Sequence, residues 1–136
     1  MPLSTGFNHV ATLSTDLDRL AAFYKDAFDA DVIFSMEEEG DHPRMFIIDL
    51  GGGAALNAFQ VPEEALIGER RRIGGRGAID HYAVAVDSVE TLRTMPDRIV
   101  AAGGEVGEIQ RLGGEWSLFF RDIDGMELEV CCKADD

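Results

Sequence analysis

The chain repeats itself. Phe7-Asn8-His9-Val10-Ala11 returns as Ile79-Asp80-His81-Tyr82-Ala83, with His81 standing 72 positions after His9. Leu56-Asn57-Ala58 returns as Leu128-Glu129-Val130, again 72 positions on. Between these matches Ala30-Asp31-Val32 corresponds to Gly104-Glu105-Val106 at an offset of 74, so two residues are inserted around the second helix and absorbed in later turns. One offset at both ends of a half means two copies of one supersecondary unit. A unit of roughly 60 residues buries too little surface to stand alone, so the halves must pack together or onto a second chain.

Each half reads as strand, helix and three strands. In the first, residues 7–13 form a strand. Residues 16–28 form a helix, with Leu17, Leu20, Ala21, Tyr24, Ala27 and Phe28 at helical spacing and Ser14, Thr15 or Asp16 as cap. Strands follow over 32–38, 44–50 and 54–59, separated by the turns Gly40-Asp41-His42-Pro43 and Gly51-Gly52-Gly53. The triple glycine lacks the following helix a phosphate loop needs. Residues 61–77 read as a linker carrying Arg70, Arg71, Arg72 and Arg76, with a short helix at 63–66. The second half has strands over 78–86, 105–112, 117–121 and 126–132 and a helix over 88–102, capped by Ser88 and ended by Gly103. Pro96 predicts a kink or a break in that helix. The fold class is therefore α+β: tandem βαβββ repeats forming a cupped mixed sheet with the helices outside. Residues 1–136 make one domain from half-units 5–60 and 78–132.

Charge and composition narrow the function. With 26 Asp and Glu against 12 Lys and Arg, a net charge of −14 is opposed to nucleic acid and to anionic membrane surfaces as partners. Apolar residues at 46% supply a core, and no run approaches a membrane span. The opening Met1-Pro2-Leu3-Ser4-Thr5-Gly6 does not resemble a secretory signal. Cys131 and Cys132 are adjacent and point to opposite faces of a strand, which suits reduced thiols in the cytoplasm.

The scarce residue is histidine, three in all, and His9 and His81 fall at matching positions of the repeat. Strand alternation places His9 with Phe7 and Ala11, and His81 with Ile79, Ala83 and Ala85, on the face away from the helix. In the closing strand Glu127, Glu129 and Cys131 take that same face, and Asn57 is the repeat mate of Glu129. Two neutral imidazoles and a carboxylate suit one divalent ion among Mn, Fe, Co, Ni and Zn. Such a set leaves coordination positions open for a substrate oxygen. Glu129 is the preferred carboxylate, because of its match with Asn57, and Glu127 is the alternative.

The paired units, the opening Phe7-Asn8-His9-Val10-Ala11 with Asp18-Arg19-Leu20-Ala21-Ala22-Phe23-Tyr24, and the closing Asp122-Ile123-Asp124-Gly125-Met126-Glu127-Leu128-Glu129 resemble the vicinal oxygen chelate superfamily over residues 5–132. That superfamily includes glyoxalases, fosfomycin-resistance thiol transferases, extradiol dioxygenases, methylmalonyl-CoA epimerases and bleomycin-binding proteins. The resemblance implies metal ligands at His9, His81 and Glu129, with Asn57 at a fourth position where glyoxalases carry a carboxylate. The His, His, Glu pattern is that of the extradiol and fosfomycin enzymes. Ile123 and Met126 depart from the family's usual Pro and Asn in the closing turn.

The expected function is thus a metal-dependent enzyme of dioxygenase, lyase, isomerase or thiol-transferase type acting on an oxygen-rich small molecule. Phe7, Asn57, Phe59, Trp116, Arg121 and Glu127 are expected to line the substrate pocket. The alternative is a metal-free protein that sequesters a drug or natural product, as the bleomycin-binding members do, and the acidity favours it. The resemblance also implies a homodimer. His42 reads as a solvated turn residue, and Cys131 as a small apolar filler.

Overall fold

The computed structural model describes Pro2, residues 6–66 and residues 81–134. The arginines at 70–72 and 76 and the strand start expected at 78–80 lie outside the described residues. The chain divides into two compact units, residues 1–66 and 67–136.

The first unit runs β1 (His9–Ser14), α1 (Leu17–Phe28), β2 (Val32–Met36), β3 (Met45–Gly51) and β4 (Ala54–Gln60). Its sheet has the order β1-β4-β3-β2, with β1 parallel to β4 and the other pairs antiparallel. Helix α1 begins where the Asp16 carboxylate accepts the Arg19 N–H at 3.1 Å. It ends at Asp29, held left-handed at φ 55° with its N–H on the Lys25 carbonyl. Leu17, Leu20, Phe23, Tyr24 and Ala27 form its buried stripe, over Phe46, Ile48, Leu56 and Ala58 of the sheet. The hairpin between β3 and β4 turns on Gly51, Gly52 and Gly53, all at positive φ, which L side chains rarely adopt.

The second unit runs β5 (Tyr82–Ala85), α2 (Val89–Ala101), β6 (Glu105–Val106), β7 (Gln110–Leu112), β8 (Glu115–Arg121) and β9 (Glu127–Lys133). Its order is β5-β9-β8-β6, with β5 parallel to β9 and with β7 also on β8. Leu92, Met95 and Ile99 of α2 are buried, as are Leu118, Phe120, Leu128 and Val130 of the strands that contact this helix. No helix among the described residues is long and apolar enough to cross a membrane.

The repeat expected from the sequence is present as register. Ala11 pairs with Asn57 and Ala83 with Glu129; Leu13 pairs with Phe59 and Ala85 with Cys131. Across the adjacent hairpins Ile47 pairs with Asn57 and Phe119 with Glu129, while Met45 pairs with Phe59 and Ser117 with Cys131. All six first-unit residues in these pairs stand 72 positions before their mates in the other unit.

Two expectations are corrected. The strand expected over 105–112 is two short pieces, β6 and β7, interrupted at Gly107, whose lack of a side chain weakens a strand. Pro96 does not break α2, which runs unbroken from Val89 to Ala101. Proline there removes one backbone donor, and the packing of Leu92, Met95 and Ile99 holds the helix across that gap. Pro96→Ala should therefore raise the unfolding free energy by about 1–3 kcal/mol in urea titrations. An unchanged or lowered midpoint would show that the proline is not a defect in this helix.

Candidate functional site

In the second unit the face away from α2 carries Ser117, Phe119 and Arg121 from β8 and Glu127, Glu129 and Cys131 from β9. The alternation is enforced by burial, since Leu118, Phe120, Leu128 and Val130 between them are buried apolar residues. The hairpin joining the two strands sets their register. Asp122 is buried, and its Oδ1 accepts the N–H groups of Asp124 at 2.9 Å and Met126 at 3.1 Å.

At the centre lies Glu129, with its side chain only 13% exposed. His81, immediately before β5, brings Nε2 to 3.1 Å from Glu129 Oε1. Ser117 donates its hydroxyl to the other oxygen, Oε2. The His81 ring also meets the Phe119 ring edge-on, with centroids 5.1 Å apart. Burial pushes the Glu129 carboxyl up, but hydrogen bonds from Ser117, Cys131 and His81 and attraction to His81 outweigh it. The net pKa lies below the ordinary value. The Cys131 thiol goes the other way. Burial first, then the neighbouring Glu129 carboxylate, push it up to about 12, so it stays protonated at neutral pH.

His9 belongs to the first unit and is exposed. Asn8 Oδ1 accepts from its Nδ1 at 2.8 Å, which leaves the lone pair of the neutral ring on Nε2, the form a metal ligand requires. Asn57 is half-buried between Ala11 and Ile47, and Phe59 is half-buried with the His42 ring 6.0 Å away. His42 is not a solvated turn residue: it is partly buried and donates Nδ1–H to the Pro43 carbonyl at 2.7 Å. Phe7, 87% exposed, precedes β1. Arg121 and Glu127 are half-buried partners across β8 and β9. Trp116 is corrected. It pairs with Cys132 on the opposite face from Glu129 and has the Arg111 guanidinium 5.9 Å from its ring.

The structure thus brings His81 and Glu129 together, with Ser117, Phe119 and Cys131 around them. Among the described residues no three His, Cys, Asp or Glu side chains gather as a ready metal cage. Ser117 is not evident from the sequence because a lone serine within a strand belongs to no motif and its partner Glu129 lies twelve residues on. Its signal was the repeat itself, which makes it the mate of Met45.

The model of the Glyoxalase/Bleomycin resistance protein/Dioxygenase superfamily matches residues 6–130. The chain belongs to this superfamily. Among curated proteins none matches. Solved structures do. A glyoxylase/bleomycin resistance protein/dioxygenase domain from Frankia sp. EAN1pec is 25% identical with a TM-score of 0.78, covering 96% of this chain and 99% of that one. A mutant of the fosfomycin resistance protein FosX from Listeria monocytogenes, complexed with Mn(II) and 1S,2S-dihydroxypropylphosphonic acid, is 21% identical with a TM-score of 0.69, covering 94% and 90%. TnmS3, an antibiotic binding protein from Streptomyces sp. CB03234, is 14% identical with a TM-score of 0.69, covering 98% and 100%. The superfamily fold thus serves both a metal-bound resistance protein and an antibiotic-binding protein.

Two measurements check the electrostatics. A carboxyl whose folded pKa is depressed contributes stability above its unfolded pKa and loses it as pH falls through the folded value. The stability advantage of the native protein over Glu129→Gln should therefore shrink as urea titrations move from neutral pH to below about 4.5. A difference independent of pH would contradict the hydrogen-bonded carboxylate. Cys131, with its thiol held protonated, should alkylate at pH 8 far more slowly in the native protein than in urea, as peptide mass mapping reads. Equal rates would refute the burial.

Proposed function

We propose that the protein is a small metal-dependent enzyme of its superfamily. His81 and Glu129 would bind one divalent ion, and His9 is the third ligand that the family resemblance implies. The observation that carries this reading is the His81 imidazole nitrogen 3.1 Å from an oxygen of the Glu129 carboxylate on the half-buried sheet face. The donor set fits: nitrogen and oxygen ligands suit Mn, Fe, Co, Ni or Zn, and the carboxylate oxygen that does not face His81 is already held by Ser117. The Mn(II) in the FosX structure supports the same choice.

A bound divalent ion supplies Lewis acidity toward neighbouring oxygens of a small molecule. The residues around it supply the rest. Phe119 packs on the His81 ring and fixes its plane. Arg121 offers a cation on the same face to an anionic group, opposite Glu127. Asn57, in the place of a fourth carboxylate, leaves the ligand set one negative charge lighter. The reaction class is dioxygenase, lyase, isomerase or thiol transferase. We place the enzyme in the cytoplasm as a homodimer built of one two-unit domain per chain.

A second reading rests on the first unit. Its face away from α1 is apolar, with Leu13, Met45, Ile47 and Phe59 side by side around Asn57, and the chain carries a net charge of −14. Such a face suits sequestration of an apolar or cationic drug without turnover, and TnmS3 shares the fold.

Elemental analysis of protein purified without added metal separates the two readings. The enzyme reading expects about one divalent ion per chain, lost in His81→Ala and Glu129→Ala while both variants stay folded. Protein that takes up no ion yet binds a cationic glycopeptide or a polyketide tightly before and after chelation favours sequestration.

A further inference from the structure

We infer that Ser117 is a positioning residue for Glu129: it holds one carboxylate oxygen so that the other is presented to the His81 side. The inference rests on the reading of Glu129 as a metal ligand.

Ser117 is fully buried, in the middle of β8 between Trp116 and Leu118. A buried hydroxyl is unfavourable unless it is hydrogen-bonded, so its presence calls for a partner. That partner is Glu129 Oε2. An ionised carboxylate only accepts, so the serine O–H is the donor and its direction is unambiguous. His81 Nε2 engages the other oxygen, Oε1. The two oxygens of one carboxylate therefore have separate partners on separate strands or strand ends. With Oε2 tied to β8, Glu129 has a single oxygen to offer as a ligand, and coordination positions remain for a substrate.

The repeat supplies an independent observation. The mate of Glu129 in the first unit is Asn57, and the mate of Ser117 is Met45. The unit that lacks the acid also lacks the hydroxyl, although strand, register and pairing are the same. Serine and glutamate thus occur together and are absent together, as expected of a ligand and the group that aims it. Cys131 does not replace the serine, because a thiol is a weak donor.

The test compares the wild type with Ser117→Ala, Ser117→Thr and Ser117→Val. Threonine and valine have nearly the same shape, so their difference isolates the hydroxyl from volume. Mn(II) and Zn(II) affinities are measured by calorimetry, and metal-free crystal structures give the Glu129 to His81 separation. The expectation is one ion per chain in all four proteins, with affinity roughly 10- to 100-fold weaker in Ser117→Ala and Ser117→Val and restored in Ser117→Thr. In the metal-free crystals the 3.1 Å contact persists in wild type and Ser117→Thr and is lost in the other two. Should threonine prove too large for the site, Ser117→Ala alone decides, through its affinity and its carboxylate position. Wild-type affinity in Ser117→Ala with Glu129 in place overturns the inference. A wild type that binds no ion, while the carboxylate still moves in Ser117→Ala, refutes the metal reading and leaves the positioning role standing.

Discussion

Each unit is closed by pairing its first strand with its last, in parallel. A parallel pair cannot be joined by a tight turn, so the chain must cross over, and here the crossover holds a helix and the intervening strands. The helix covers one face of the sheet and takes up its apolar side chains, which leaves the other face for chemistry. In both units β1 or β5 sits against the closing strand at one register, so the residues of the opening strand and the closing strand meet in the same pairs. A slip of one residue would exchange the two faces and bury Glu129 beneath α2. Register is therefore the constraint on which the site depends.

On that shared frame the two units have diverged. Met45, Ile47, Asn57 and Phe59 of the first correspond to Ser117, Phe119, Glu129 and Cys131 of the second. One face became apolar and the other acquired a carboxylate. Burying that carboxylate is unfavourable, and donors from Ser117, Cys131 and His81 offset the loss of water. Burial, and then the same carboxylate, raise the pKa of Cys131, so the thiol beside Glu129 stays protonated at neutral pH. Acid, hydroxyl, imidazole and thiol thus form one electrostatic unit, and changing any of them alters the others.

Much of this was legible in the residues. The repeat, the cap at Ser88, the glycine turn at 51–53 and the sorting of Glu129 from Leu128 follow from spacing and side-chain chemistry, while the choice of Asp16 among the three possible caps Ser14, Thr15 and Asp16 came from the structure. Other points were not. Gly107 divides a strand that alternation alone reads as continuous, and Pro96 sits in a helix that local preference would end. In both cases the outcome depends on neighbours distant in sequence, the β8 strand for one and the buried stripe of α2 for the other. Trp116 was expected to line the pocket as an aromatic side chain, but its parity along β8 sends it to the other face with Cys132.

The sequence by itself determined the two half-units, the α+β class and the positions of His9, His81, Asn57 and Glu129 as matched pairs, because repetition and alternation are properties of the chain. Only the tertiary structure decided which groups touch. Ser117 reaches Glu129 across a hairpin, and His81 reaches it from the residue just before a parallel strand, 48 residues away in the chain. Such contacts depend on the register of the paired strands, and a carboxylate's hydration, charge and aim are set by those neighbours rather than by the residue itself.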